Sequence, residues 1–125
     1  MELLPAFPDV ELLALDLLAP AGTTSLTTPA TITPPLIVIR RVGGGDTYLT
    51  DVPRLQVHAF GVNRAQTAAL AEACRQLILA SPADGVGAES IDNAWTETAP
   101  IFHDWGDKTV QCFVATYRIA LRRSR

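Results

Sequence analysis

Residues 63–82 read Asn63-Arg64-Ala65-Gln66-Thr67-Ala68-Ala69-Leu70-Ala71-Glu72-Ala73-Cys74-Arg75-Gln76-Leu77-Ile78-Leu79-Ala80-Ser81-Pro82. They describe one strong helix. Asn63 supplies an N-cap, Gln66 stands at the reciprocal capping-box position, and Ser81-Pro82 ends the run, so the helix spans about residues 64–80. Leu70, Cys74, Leu77 and Ile78 form one apolar stripe, flanked by Ala69 and Ala73, small enough to let a sheet approach closely. Glu72, Arg75 and Gln76 mark the wet side. A helix with one apolar stripe needs a sheet to cover it.

The flanking sequence supplies strands. Leu36-Ile37-Val38-Ile39-Arg40-Arg41-Val42 follows Pro34-Pro35 and is β-branched without alternation, which suggests a strand covered on both faces. Gly43-Gly44-Gly45-Asp46 then reads as a turn, and Asp51-Val52-Pro53 closes a wide loop before a strand at residues 54–60, where Leu55, Val57 and Ala59 alternate with Gln56 and His58. This pair is an antiparallel hairpin. After an Asp84-Gly85 turn, residues 87–98 read as a strand with Ile91 and Trp95 on one face, followed by a loop through Pro100, Trp105 and Gly106. Residues 109–122 make the last strand. Phe113, Ala115, Tyr117, Ile119 and Leu121 lie on one of its faces, and Val110, Cys112, Val114, Thr116, Arg118, Ala120 and Arg122 on the other. The expected fold class is α+β: a mainly antiparallel sheet of about four strands, one long helix packed on it, and a short N-terminal helix.

That first helix spans about residues 9–18, after Pro8 and before Ala19-Pro20-Ala21-Gly22. Only Glu11 and Asp16 are polar within it, so it needs cover on two sides, supplied by another subunit or by deep burial in the monomer. Residues 19–35 are rich in Thr and Pro and carry no charge, which reads as a long arm or irregular strand, and an arm lying on a neighbour would account for its length.

The chain has 125 residues, 48% of them hydrophobic, and a net charge of −3; its mean hydropathy is +0.20. This is one folded domain, residues 1–125, without the basic field that non-specific nucleic-acid binding requires. The longest unbroken apolar runs fall far short of the roughly 20 residues of a membrane span, and no leader pattern opens the chain. A soluble protein with no membrane and no specific nucleic-acid partner is expected. Cys74 and Cys112 form no framework and read as small buried hydrophobes.

Catalytic motifs are sparse. His103-Asp104 is the one adjacent His and carboxylate, and with Cys112 it suggests at most a small hydrolase-like Cys/His site. His58 and His103 lack metal-ligand spacing, and Gly43-Gly44-Gly45 fails the phosphate-loop patterns because Tyr48 stands where a third Gly is needed. No catalytic, metal or cofactor residue is assigned, and no cofactor is expected. Charge is more informative. Glu2, Asp9, Glu11 and Asp16 open the chain without a base, and Arg118, Arg122, Arg123 and Arg125 close it without an acid. Complementary surfaces meeting head to tail between identical subunits would explain this, as would a solvated basic tail beside an unrelated acidic helix. A phosphate contact by the terminal arginines would need a groove or aromatic platform that the sequence does not identify.

Phe7-Pro8-Asp9-Val10-Glu11, the run Leu36 to Gly45, Asp51-Val52-Pro53-Arg54-Leu55-Gln56-Val57, the Ala-rich helix, Thr98-Ala99-Pro100 and Tyr117-Arg118-Ile119-Ala120-Leu121-Arg122 follow a familiar order. In that order and spacing the chain resembles the tail terminator (tail completion) proteins of long-tailed bacteriophages, the siphovirus type found in phages of actinobacteria. The resemblance implies a non-enzymatic homo-oligomeric ring, usually a hexamer. Such a ring is made in the host cytoplasm and sits at the head-proximal end of the virion tail, where it ends tail tube protein polymerisation and meets the head-tail connector protein. On that reading Asp9, Glu11, Leu12, Arg40 and Arg41 make subunit contacts, with Arg40 and Arg41 pairing acids of a neighbour. Gly44, Asp46, Asp51 and Trp105 meet tube or connector, and Arg118 and Arg122 belong to the basic partner surface. The alternatives are another neck, head-completion or minor tail protein, the enzyme using His103, Asp104 and Cys112, and a regulatory module using the basic C-terminus.

Overall fold

The computed structural model describes residues 3–82 and 91–123. The expected Asp84-Gly85 turn, the start of the strand at Gly87, Glu2 and Arg125 lie outside the described residues. The elements run α1 (Val10–Leu18), β1 (Thr23–Ser25), β2 (Leu36–Asp46), β3 (Thr50–Gly61), α2 (Arg64–Ala80), β4 (Ile91–His103) and β5 (Gln111–Arg122). They form an α+β molecule with one five-stranded sheet, ordered β1-β2-β3-β5-β4. All neighbours pair antiparallel except β1, which runs parallel to β2. The fifth strand comes from the Thr-rich arm, where Thr23, Thr24 and Ser25 pair with Leu36, Ile37 and Val38. The arm therefore lies at least partly on its own chain.

Both helices cover one face of the sheet. Val10, Ala14, Leu17 and Leu18 of α1 join Cys74 and Ile78 of α2 over Ile37, Ile39, Leu55, Val57, Ala115, Tyr117, Ile119 and Leu121. Most of the wide apolar surface of α1 is thus buried within the monomer, and Leu12 is left 56% exposed. On α2 the close approach is made by Thr67 and Ala71, while Ala69 and Ala73 face solvent and Leu70 and Leu77 are half-buried. The reason is Gly61, where a Cβ would overlap the Thr67 hydroxyl, so the first turn of α2 seats directly on the end of β3. The Asn63 cap forms, with Gln66 N–H donating to Asn63 Oδ1 at 2.8 Å, but the Gln66 side chain accepts from Val62 N–H at 3.3 Å, one residue before the N–H that the expected box would use.

Two expected loops are strands. β2 and β3 pair through Asp46 and Asp51, which shrinks the wide loop to residues 47–49. A register shift between Arg41 and Gly43 absorbs Val42, and positive φ at Gly43 and Gly44 lets the strand continue. Pro53 is accommodated because the β3–β5 pairing omits Val52 and Pro53. Likewise β4 runs through Pro100 to His103 with three register shifts, at the sheet edge where the missing proline N–H costs no ladder bond. The shift between Ile91 and Asn93 also reverses the faces. Ile91 is buried, whereas Trp95 points away from the helices beside Arg118.

Candidate assembly surface

Several of the charged candidates are engaged inside the chain. Arg41 Nη1 and Nη2 donate to the two carboxylate oxygens of Asp51 at 2.8 and 2.9 Å, and its Nε donates to the Gly43 carbonyl at 3.1 Å. Asp51 is only 6% exposed. The backbone N–H of Arg41, on the outer edge of β2, donates to Glu11 Oε2 at 3.0 Å. The expectation that Arg41 pairs a neighbour's acid therefore meets a competing partner at home. Asp9 is the N-cap of α1 and accepts from the N–H groups of Glu11 and Leu12. Gly44, at φ +94°, crosses so near the Val52 carbonyl and Pro53 that a Cβ there would collide with backbone. Arg40, Leu12 and Asp46 remain exposed.

The C-terminal arginines also find partners in their own chain. Arg118 Nε donates to Glu97 Oε1 at 2.8 Å, and Arg54 Nε and Nη2 donate to Glu97 Oε2 at 2.9 and 2.7 Å. Arg54 first, then Arg118, holds the Glu97 carboxyl below its usual range. Arg122 pairs Asp92 at 3.1 Å without an aligned hydrogen bond. Arg123 stacks 4.3 Å from the Phe7 ring centre and donates to the Tyr48 and Pro5 carbonyls at 3.0 and 2.8 Å. Sequence reasoning missed Arg54, Asp92, Glu97 and Tyr48, since each partner lies on another strand and the pairing follows only from register. The charge polarity from end to end of the chain thus closes in part within one molecule.

At the other end of the sheet His58 stacks on Phe60, and Trp105 meets Phe60, His58 and His103 edge-on with ring centres 4.9, 6.1 and 6.1 Å apart. Burial lowers the His58 pKa, helped by Arg40 and His103. His103 stands opposite Cys112 in the ladder. Burial pushes the Cys112 thiol up to about 12, so the group opposite the imidazole is a neutral thiol rather than a nucleophile. Cys74 is held at about 12 for the same reason. Among the described residues no three His, Cys, Asp or Glu side chains cluster as a metal site.

The register separates two candidate regions that the sequence treats alike. Thr50 pairs Arg122 at one end of β3, and Gly61 pairs Gln111 at the other, so the 47–49 turn and the Trp105 loop lie roughly 35 Å apart. Tyr48 and Leu49 are 70% and 67% exposed at the turn. Between the ends, the face opposite the helices carries Leu36, Val38, Phe60, Val110 and Cys112 under Ile32. Its centre is open. Arg40, Gln56 and Thr116 form one cross-strand row, and His58, Val114 and Ile101 the next.

No protein-family model and no curated protein matches the chain. Among solved structures, the fold is similar to that of a chain in the "Virion of native gene transfer agent (GTA) particle". The two are 14% identical, with a TM-score of 0.59, and the match covers 85% of this chain and 84% of that one. At that identity the likeness shows a shared fold, spanning nearly the whole of both chains.

Proposed function

We propose that this chain is a structural virion protein: a tail terminator that forms a ring on the last tier of tail tube protein, ends its polymerisation and joins the tail to the head connector. The observation that carries the reading is the likeness of fold to a chain of a virion particle over most of both chains, beside the sequence's resemblance to terminators. The buried Cys112, its thiol pushed up to about 12, disfavours the Cys/His alternative. A ring must offer different surfaces above and below, and the sheet supplies them. The turn at Tyr48 and Leu49 meets the tube, and the Trp105 loop meets the connector, so growth stops because the connector end offers no second tube-binding turn.

The test is polymerisation of purified tube protein with and without this chain, read by electron microscopy. Length-arrested tubes capped at one end are expected. Leu49→Asp abolishes capping, whereas Trp105→Ala leaves capped tails that fail to join heads. Tubes of unchanged length, or finished tails beside leaky heads when the gene is lost, would overturn the terminator reading in favour of a neck or head-completion protein.

A further inference from the structure

Most charges in the described residues have a partner in their own chain, and four do not. Arg41, Arg54, Arg75, Arg118 and Arg122 sit in ion pairs. Arg64 and Arg123 lie over aromatic rings. Asp104 and Asp107 accept from the backbone of their own loop. Within the described residues Asp16, Arg40, Asp46 and Lys108 make neither an ion pair nor a side-chain hydrogen bond, and all four are exposed. Asp46 stands opposite Asp51 beside the hairpin turn and Lys108 lies in the Trp105 loop, which leaves Asp16 and Arg40 on the two broad faces of the molecule.

Their surroundings are complementary. Asp16 lies on the one exposed stripe of α1, with Asp9 and Leu12 at helical spacing, and no base occurs in that helix. Arg40 lies on the sheet face away from the helices with Arg54, Arg118 and Arg122, against the carboxylates of Glu97 and Asp92. The adjoining cross-strand row, on the side away from those arginines, holds His58, the half-buried Val114 and the 58% exposed Ile101. An acidic stripe around an exposed leucine thus matches a face with more arginines than carboxylates, bordered by an apolar row. The two cannot meet within one molecule, because α1 packs on the helix-covered face and Arg40 projects from the opposite one.

We infer that the sheet face away from the helices is covered by α1 of a second copy of this chain, with Asp16 against Arg40 and Leu12 against the adjoining row towards Val114. The contact is heterologous, so repetition with a closing rotation yields a ring. This rests on the ring-forming reading above and supplies its subunit contact.

Light scattering after size exclusion, over a wide concentration range and at two salt concentrations, tests it with Asp16→Arg, Arg40→Asp, the double variant, and an equimolar mixture of the two single variants. Each substitution is at an exposed position, and circular dichroism checks that each variant is folded. Each single variant is expected to assemble about tenfold more weakly than the unsubstituted chain. The double variant and the mixture are expected to recover, because each restores opposite charges across the contact. Singles that assemble like the parent, singles that weaken without recovery in the double, or a parent that stays monomeric at every concentration and on tube tips, would each overturn the inference. Tube capping separates the two proposals. Single variants that assemble and cap like the parent refute the contact and leave the terminator standing, whereas charge-reversal rescue of assembly without any capping keeps the contact and refutes the terminator.

Discussion

Arg41 and Asp51 show what one residue pair does in this fold. The Asp51 carboxylate is almost fully buried, and the two guanidinium hydrogen bonds are what make that burial tolerable. Arg41→Ala leaves that charge unpaired and lowers stability by about 2 kcal/mol, less than for a fully buried pair because Arg41 is itself half-exposed. Urea denaturation with an unchanged slope measures it. His58 makes a second statement at this scale. Its folded pKa lies below the ordinary 6.5, so the unfolded chain binds the proton more readily and His58's contribution to stability is intact above that value. The contribution is lost as pH falls from about 6.5 through the lowered folded pKa. Melting temperature followed from pH 7.5 to 5 should drop more steeply for the parent than for His58→Gln, and coincident curves would refute the assignment.

At the scale of elements, helix α2 is defined from within. Asn63 caps it, Gln66 accepts from Val62 N–H just before the cap, and Ser81 donates back to the Ile78 carbonyl at 2.6 Å. Asn63→Ala should cost about 1 kcal/mol, readable as a shift in the denaturation midpoint. The caps and one face of β5 were legible in sequence because they depend on residues three, four or two positions away. The hairpin of β2 and β3 was legible too, but its extension to Asp46 and Asp51 and the far half of β4 were not. Gly43-Gly44-Gly45, Pro53 and Pro100 are local breakers, yet ladder pairing carried the strands through them by bulges and omitted pairs.

For the whole molecule, the closing contact is Arg123, which binds the N-terminal segment at Pro5 and Phe7 to the turn at Tyr48 and to the end of the chain. Arg123→Ala should release residues 3–8, giving faster amide exchange there and around residues 47–49, with little change in melting temperature because these groups lie outside the core. Equal exchange in parent and variant would show that the clasp is not formed. Of the contact residues that the sequence suggests, Leu12, Arg40, Asp46 and Trp105 are exposed, while Asp9, Glu11, Arg41, Gly44, Asp51, Arg118 and Arg122 also serve their own fold; which charges are engaged at home was not legible, because it depends on strand register.

The sequence by itself determined the α+β class, the caps and stripe of the long helix, and the alternation of β5, because short-range periodicity and side chain-to-backbone bonds act within a few residues. Only the tertiary structure decided that the arm adds a strand, that α1 buries all but the stripe around Leu12, and which charges neutralise one another. Glu97 meets Arg54 and Arg118 only because three strands align in one register, and a one-residue slip would separate them. Arg40 meets no carboxylate in that same register.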